Sequence, residues 1–161
     1  MANEEHIGIL KQGVEHWNTW RKQNDDVETP HLRGGNFSMT NLRGANLTGA
    51  NLSSANLSRA MLVRAQLSSA NLSAANLRGA NLASANLERA DLTWADLSGA
   101  NLNGAWLHLT DLSHANLRAA DLSSAFILNA RFAGARYDRA TKWPRGVPPR
   151  EAINVDLATP T

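Results

Sequence analysis

The sequence predicts an all-β solenoid in which the chain turns a corner at every fifth residue. From position 45 to position 140 almost every fifth residue is alanine. In the same frame of five, the position two places later is leucine without exception from 42 to 122. Asn or Asp usually stands between the alanine and the leucine, and Ser, Thr or Arg commonly follows the leucine. The 105 residues from 35 to 139 therefore form 21 units of the type A-(N/D)-L-x-x in one frame.

A period of five fits neither a long helix nor a long strand. On an α-helix five residues advance about 500°, so successive leucines would drift about 140° around the axis. On a strand, residues five apart point to opposite faces. A chain that bends after each unit instead directs all leucines and alanines toward one axis. Asn, Asp, Ser and Gly then supply the corner conformations that other residues resist.

The run of A-N-L-x-x units over 35–139 resembles the pentapeptide-repeat family, and it covers about two-thirds of the chain. The resemblance implies a right-handed quadrilateral β-helix with the central leucine and the preceding alanine inside and four units in each coil. The 21 units then form about five coils, which at a spacing of about 4.8 Å make a rod about 25 Å tall. The family resemblance implies a fold but does not identify an activity.

Residues 1–30 are expected to form a capping helix and linker before a β-helix that spans 31–140. One apolar stripe with helical spacing runs through 3–24 and comprises Ile7, Leu10, Val14 and Trp17. Solenoid ends expose unpaired backbone unless they are capped. We therefore expect this helix to be a lid on the first coil, with Trp17 and Trp20 facing it. A partner-binding or membrane-surface helix is the alternative, and the mixed charge of the segment disfavours the membrane.

Residues 141–161 are expected to form a C-terminal cap and tail, because aromatic residues and prolines interrupt the repeat there. The segment around Tyr137 and Trp143 resembles the closing segment of many bacterial and cyanobacterial members of the family, so both rings are expected to cover the last coil. Three prolines are expected to prevent further strand pairing: Pro144, Pro148 and Pro149. The residues after 150 are expected to be loosely held, with Ile153, Val155 and Leu157 as anchors.

The sequence offers no recognisable chemistry. It has no cysteine, which excludes disulfides and thiolate metal sites, and its five histidines form no known catalytic or metal-binding motif. We therefore expect no enzymatic activity, no cofactor and no metal. No stretch of 18 apolar residues occurs, and the first 25 residues are too polar for a signal peptide. The expected location is the cytoplasm, without membrane contact.

One face of the predicted coil changes character along its length. In a coil of four units, residues twenty apart stack on one face. The position before the central leucine holds Asn46, Gln66 and Asn86 in early coils, but Trp106 and Phe126 in later ones. With neighbouring His108, Leu109 and Leu128, these two aromatic residues form a candidate interaction patch, because contiguous apolar surface usually marks an interface. Three alternatives remain for what covers the patch: the C-terminal tail, a second copy of the chain or a foreign protein.

Two other surfaces are secondary candidates. Trp94 and His114 lie twenty residues apart on another face, and surface stacking is expected rather than catalysis. A further face carries Arg59, Arg78 and Arg118. These arginines could contact nucleic acid, although aromatic residues that would stack on bases are not interleaved with them.

The function that these observations favour is a non-catalytic interaction or scaffold module, whose partner is a protein or a second copy. The resemblance implies one alternative, since some family members of the quinolone-resistance group are acidic mimics of DNA directed at topoisomerase or gyrase. Residues 35–139 carry nine arginines and six acidic residues, a balance of +3. That sign is opposite to the potential of a DNA duplex. Direct nucleic-acid binding through the arginine-bearing face is the other alternative.

Overall fold

The computed structural model describes residues 3–25, 27, 29–146 and 148–156. Two short helices come first, α1 (Glu4–Lys11) and α2 (Val14–Gln23). Near the C-terminus lie strand β1 (Arg136–Tyr137), a 3₁₀ turn (Pro144–Gly146) and strand β2 (Ile153–Asn154). Between α2 and β1 the chain forms isolated parallel bridges rather than extended strands.

These bridges join residues twenty apart and stack the repeats into four columns. We number the faces by the residue at which each column begins: first (Asn36), second (Asn41), third (Asn46) and fourth (His31). Four pentapeptides therefore complete one coil, as the family resemblance implies. The register has no slip from residue 31 to residue 136.

The corners of the coil are tight turns, and most have a positive φ at the third residue, where glycine shares the position with serine, arginine and even tryptophan or leucine. At the first corner the Gly35 N–H donates to the Leu32 carbonyl at 3.0 Å, and Gly34 has a φ of 65°. A positive φ at the third residue is the mark of a type II turn. The Asn before the leucine supports the corner, since the Asn71 side-chain oxygen accepts the Ser73 N–H at 2.9 Å. This local bond explains why Asn and Asp dominate that position.

The leucine and alanine stripes form the core, which confirms the prediction that both face a common axis. All the central leucines from 42 to 122 are 0% exposed, and the alanines at every fifth position from 45 to 120 are at most 1% exposed. Thr110 replaces one of these alanines and is also fully buried. Its hydroxyl donates to the Leu87 carbonyl at 2.8 Å, so the buried polar group is satisfied.

Gly35 occupies an alanine position because its neighbour in the repeat is a phenylalanine. A Cβ placed on Gly35 would lie 2.4 Å from Cε2 of Phe37 and 3.0 Å from the Leu32 carbonyl oxygen. The ring of Phe37 thus fills the space that an alanine methyl group occupies in later coils.

Gly35→Ala is expected to lower the free energy of unfolding by about 1–3 kcal/mol, the usual cost of overpacking a core. Chemical denaturation measures the effect. The double variant Gly35→Ala/Phe37→Leu restores the common repeat unit, and it should be no less stable than Phe37→Leu alone. Equal losses from Gly35→Ala in the two backgrounds would show that the Phe37 ring is not the cause.

The predicted single helix over 3–24 is wrong, since the chain forms two helices. α1 ends at Lys11 and α2 begins at Val14, with Gly13 between them at a φ of 117°. Glycine adopts such a φ without the steric cost that other residues carry. Apolar residues recur in phase on both sides of this break, so hydrophobic spacing alone does not reveal it.

The two helices lie on the N-terminal end of the first coil. Ile7, Leu10 and Trp17 are buried there, and the Trp17 ring packs beside Trp20 at 5.1 Å. The Trp17 Nε1–H donates to the Asn46 carbonyl at 2.8 Å, and Asn18 Oδ1 accepts the Asn46 N–H at 2.8 Å. In later coils the corresponding backbone groups pair with the preceding coil. The lid, defined here as residues 3–24, thus replaces a missing coil on the third face.

The twenty-residue register ends after Arg136. Asp121 pairs with Lys142, twenty-one residues later, so the chain contains one extra residue between the bridge at Arg136 and the bridge at Lys142. Asp138 accommodates the insertion, since its carboxylate accepts N–H bonds from Ala119, Ala140 and Thr141. Burial raises the pKa of the Asp138 carboxyl, but these hydrogen bonds outweigh it and leave the pKa below the ordinary value.

The C-terminal segment adds one more strand to the first face. β2 pairs in parallel with β1, Ile153 with Arg136 and Asn154 with Tyr137. The prediction that the prolines prevent further strand pairing is therefore wrong for the residues up to 156. The prolines lie in the connection, after which strand pairing resumes. Trp143 is 5% exposed and packs edge-on against Phe132 and Tyr137 at 5.4 and 5.5 Å.

Candidate functional site

Large apolar side chains are exposed in adjacent coils of the third face. Trp106 is 55% exposed, Phe126 61%, Leu128 69% and Leu109 42%. Trp106 and Phe126 are bridge partners whose rings meet edge to face at 6.0 Å. His108 is half-buried and lines an open depression with Trp106, Phe126 and Leu128. We call these five residues the apolar patch.

The patch arises from outward positions of the repeat. Leu107, between Trp106 and His108, is fully buried in the core, so its neighbours on either side point to the surface. In early coils the same column holds Asn46 and Gln66. The exposure of Trp106 and Phe126 therefore follows from the backbone geometry and is independent of the chemistry of the side chains.

The described part of the C-terminal tail does not cover the patch. β2 lies on the first face, opposite the third face of a four-sided coil. Ile153 is itself 51% exposed. The alternative in which the tail covers the patch through Ile153 or Val155 is therefore wrong. Leu157, the third expected anchor, lies outside the described residues.

Charged residues border the patch on its N-terminal side. Glu88 lies one coil before His108, with 3.5 Å between Glu88 Oε1 and His108 Nδ1. Arg64 lines a second open depression together with Gln66, Asn86 and Trp106. Trp106 thus forms a wall of both depressions. Neither Arg64 nor Glu88 is among the site residues predicted from the sequence, although the twenty-residue spacing of Glu88 and His108 places Glu88 beside the patch in a coil of four units.

The stack predicted for Trp94 and His114 is confirmed. Their ring centroids lie 4.3 Å apart, with an angle of 13° between the ring planes. Gly134, one coil later, leaves room for the imidazole, because a Cβ there would lie 2.6 Å from His114 Nδ1. The stack is thus a packed surface column, which accounts for both aromatic residues without a reaction.

The arginines of the first face are partly occupied by their own chain. Arg78 forms an ion pair with Asp96 at 3.2 Å, and the Arg118 Nε–H donates to Asn116 Oδ1 at 3.2 Å. Arg59 lines a shallow depression with Arg78. These contacts within the face favour a structural role for the pairs over an open track for phosphates.

The described ranges contain no group of three His, Asp or Glu side chains that could hold a metal ion. Within those same ranges, no helix has the length and apolar character needed to cross a bilayer. The arrangement on the third face offers apolar contact with a polar border, which suits binding rather than bond making.

Comparison with known proteins identifies the class. A family model described as pentapeptide repeats matches in eight copies over residues 31–62, 65–104, 75–113 and 100–136. The chain therefore belongs to the pentapeptide-repeat family. The comparison with curated proteins gives no match.

Several solved structures are similar to the chain. Rfr23, a pentapeptide repeat protein from the cyanobacterium Cyanothece 51142, is 35% identical over 71% of this chain and 65% of its own, with a TM-score of 0.40. HetL from the cyanobacterium Nostoc sp. strain PCC 7120, involved in heterocyst differentiation regulation, is 36% identical over 66% of this chain and 60% of its own, with a TM-score of 0.34. QnrB1, a plasmid-mediated fluoroquinolone resistance protein, is 17% identical over 75% of this chain and 82% of its own, with a TM-score of 0.30. The chain spans less than two thirds of Rfr23 and of HetL.

Proposed function

We propose that this chain is a non-catalytic interaction or scaffold module that binds a protein partner through the apolar patch. The observation that carries the proposal is the exposure of Trp106 and Phe126 in a column that earlier holds Asn and Gln. Pentapeptide-repeat proteins are generally structural or interaction modules, which agrees with this role.

The size of the patch indicates a reversible interaction. A buried aromatic side chain contributes about 150–250 Å², so the half-exposed Trp106 and Phe126 offer on the order of 100 Å² each. With Leu109 and Leu128, the exposed apolar area is on the order of 400 Å², which at about 25 cal/mol per Å² corresponds to about 10 kcal/mol. Association costs roughly 4–15 kcal/mol. Polar contacts at the border, including Glu88 and Arg64, must therefore contribute to a stable complex.

The charge of the repeats supports a protein partner over mimicry of DNA. A mimic needs a strongly negative surface, whereas the nine arginines and six acidic residues of 35–139 give a balance of +3. A gyrase supercoiling assay checks this alternative directly, and inhibition or protection by the purified chain would favour it over our proposal.

A photo-crosslinking residue at position 106 should give specific adducts in cells of the native host. Benzoylphenylalanine is aromatic, so it preserves the character of Trp106 at the surface. The matched control is the same residue at position 36, which is exposed and stands at the same place of the repeat unit, but on the opposite, first face. Adducts from 106 and few from 36 are expected; equal labelling from both positions would overturn the proposal.

Trp106→Ser separates self-association from binding to a foreign protein. Truncating an aromatic residue at an interface centre commonly costs 2 kcal/mol or more, which corresponds to an affinity loss of about 30-fold. If the adducts from position 106 are dimers, light scattering over a concentration series should show the wild type associating and this variant remaining monomeric. If the adducts contain another protein, the variant should lose that complex while its own mass is unchanged.

A further inference from the structure

The fourth face begins with a hydrogen bond that differs from all those that follow in its column. In later coils the backbone N–H of each bridge residue donates to a carbonyl of the preceding coil. The Asn51 N–H donates to Pro30 and the Asn71 N–H to Ala50, both at 2.9 Å. His31 has no preceding coil, and its N–H donates to Nδ1 of His6 in α1 at 3.0 Å. An imidazole nitrogen thus replaces the missing carbonyl.

His6 is held firmly between the lid and the first coil. It is only 7% exposed, and its ring centroid lies 4.8 Å from that of Trp20 and 6.2 Å from that of His31. The backbone of α1 adds a second bond, since the Asn3 N–H donates to the His31 carbonyl at 3.1 Å. Both backbone groups of His31 are therefore paired with the start of the lid.

Only one protonation state of His6 fits this arrangement. A ring nitrogen accepts a hydrogen bond when it carries no proton, and both nitrogens of a protonated imidazole are donors. Burial lowers the pKa of His6 below its ordinary value of 6.5. Glu5 of α1 raises the pKa, whereas His31 of the first coil and Arg21 of α2 lower it. The neutral acceptor form is thus favoured at neutral pH.

The surroundings of His6 oppose a positive charge at that site. Arg21 is fixed nearby, because its guanidinium donates to the Val27 carbonyl at 3.0 Å and to the Thr48 carbonyl at 3.3 Å. His31 is exposed, and its ring lies parallel to that of His6 with 6.2 Å between the centroids. Glu5 is the acidic side chain that opposes the effect of Arg21 and His31 on the pKa of His6. Protonation of His6 would thus place a second cation beside Arg21. It would also turn the accepting Nδ1 into an N–H donor that faces the N–H of His31.

We propose that His6 is an acid-sensitive latch whose protonation releases the lid from the first coil. In the open state His6 is solvated and binds a proton at its ordinary affinity, so the open state takes up more protons than the closed one. The closed lid therefore loses stability as the pH falls below about 6.5, and the loss levels off once His6 is protonated in both states. Release leaves the backbone edge at His31 and Asn46 unpaired, and such an edge can pair with another chain. This inference does not depend on the apolar patch.

Amide hydrogen exchange of the full chain tests the latch. Protection factors, which correct for the intrinsic effect of pH on exchange, are compared between pH about 7.5 and about 5, the range in which histidine titrates. In the wild type, protection of the His31 amide and of the lid amides should fall by up to about tenfold for each unit of pKa difference between closed and open states. Amides of the central coils, such as Leu82, serve as the internal reference and should keep their protection.

His6→Asn is the matched variant, because the Asn side-chain oxygen can accept near the position of Nδ1 and does not titrate. Its lid should keep its protection across the whole range, whereas His31→Asn, which retains the backbone donor, should still show the acid response. An equal acid response in His6→Asn and wild type would overturn the latch.

A measurement on the wild type alone covers the case in which His6→Asn does not close its lid at neutral pH. The NMR titration of the His6 ring and the loss of lid protection should then share one midpoint. Protonation of His6 with an unchanged lid would equally refute the inference.

Discussion

Leu82→Ala is expected to lower the free energy of unfolding by about 2–5 kcal/mol, the usual cost of truncating a buried leucine. Leu82 is 0% exposed and lies in a central coil. The backbone on both sides is fixed, since the Leu82 N–H donates to the Asn101 carbonyl at 2.7 Å and the Asn81 N–H to the Ala60 carbonyl at 2.9 Å. The ladder therefore restricts collapse of the coils into the cavity. Denaturant unfolding monitored by circular dichroism measures the loss.

The control for Leu82→Ala is the same substitution at Leu128, which is 69% exposed. Surface substitutions usually change stability by less than about 0.5 kcal/mol. The comparison is made at low protein concentration, so that association through the apolar patch does not contribute. Similar losses at the two positions would mean that the leucine stripe is not the core of the molecule.

The positions of the core and the patch could be predicted because they depend on a strict repeat. Once leucine recurs every fifth residue, the burial of Leu82 follows from the period. The juxtaposition of Trp106 and Phe126 needed one more fact, the number of units in a coil, which came from the family resemblance. The bridge between Trp106 and Phe126 confirms that number.

The ends of the rod were harder to predict, because their contacts do not repeat. The break at Gly13 leaves the apolar spacing in phase, and the pairing of Ile153 with Arg136 follows a connection of irregular length. The roles of His6 and Asn18 depend on how the lid docks, which no sequence periodicity encodes. Both side chains bond to backbone groups of the first coil.

These contacts have one physical effect in common: they provide hydrogen-bond partners for the backbone groups at the open edge of a β ladder. A buried backbone N–H or carbonyl without a partner is costly, so both ends of a solenoid need substitutes for the missing coil. At the start, mostly side chains of the lid provide them, as Asn18 does for the Asn46 N–H, beside one backbone bond from the Asn3 N–H to the His31 carbonyl. At the end, β2 provides backbone groups instead, since the Ile153 N–H donates to the Ala135 carbonyl at 2.7 Å. The N-terminal end of the rod is therefore the one at which a single side-chain change can remove the cap.

Trp17→Ala is expected to have the largest effect at the N-terminal end. It should lower the free energy of unfolding by about 3–5 kcal/mol, the usual cost of truncating a fully buried aromatic residue. The ring is 0% exposed, and the variant also removes the Nε1–H that donates to the Asn46 carbonyl. Trp94→Ala is the matched control, because Trp94 is 67% exposed and packs on His114 at the surface.

Hydrogen exchange locates the damage that Trp17→Ala causes. In a solenoid each coil contacts only its neighbours, so the loss should be confined to the lid and the first coil. Amides over 3–23 and at Leu32 should lose protection, while those of Leu82 and Leu102 should be unchanged. Uniform loss along the whole rod, or a lid that stays protected, would show that Trp17 does not hold the lid on the first coil.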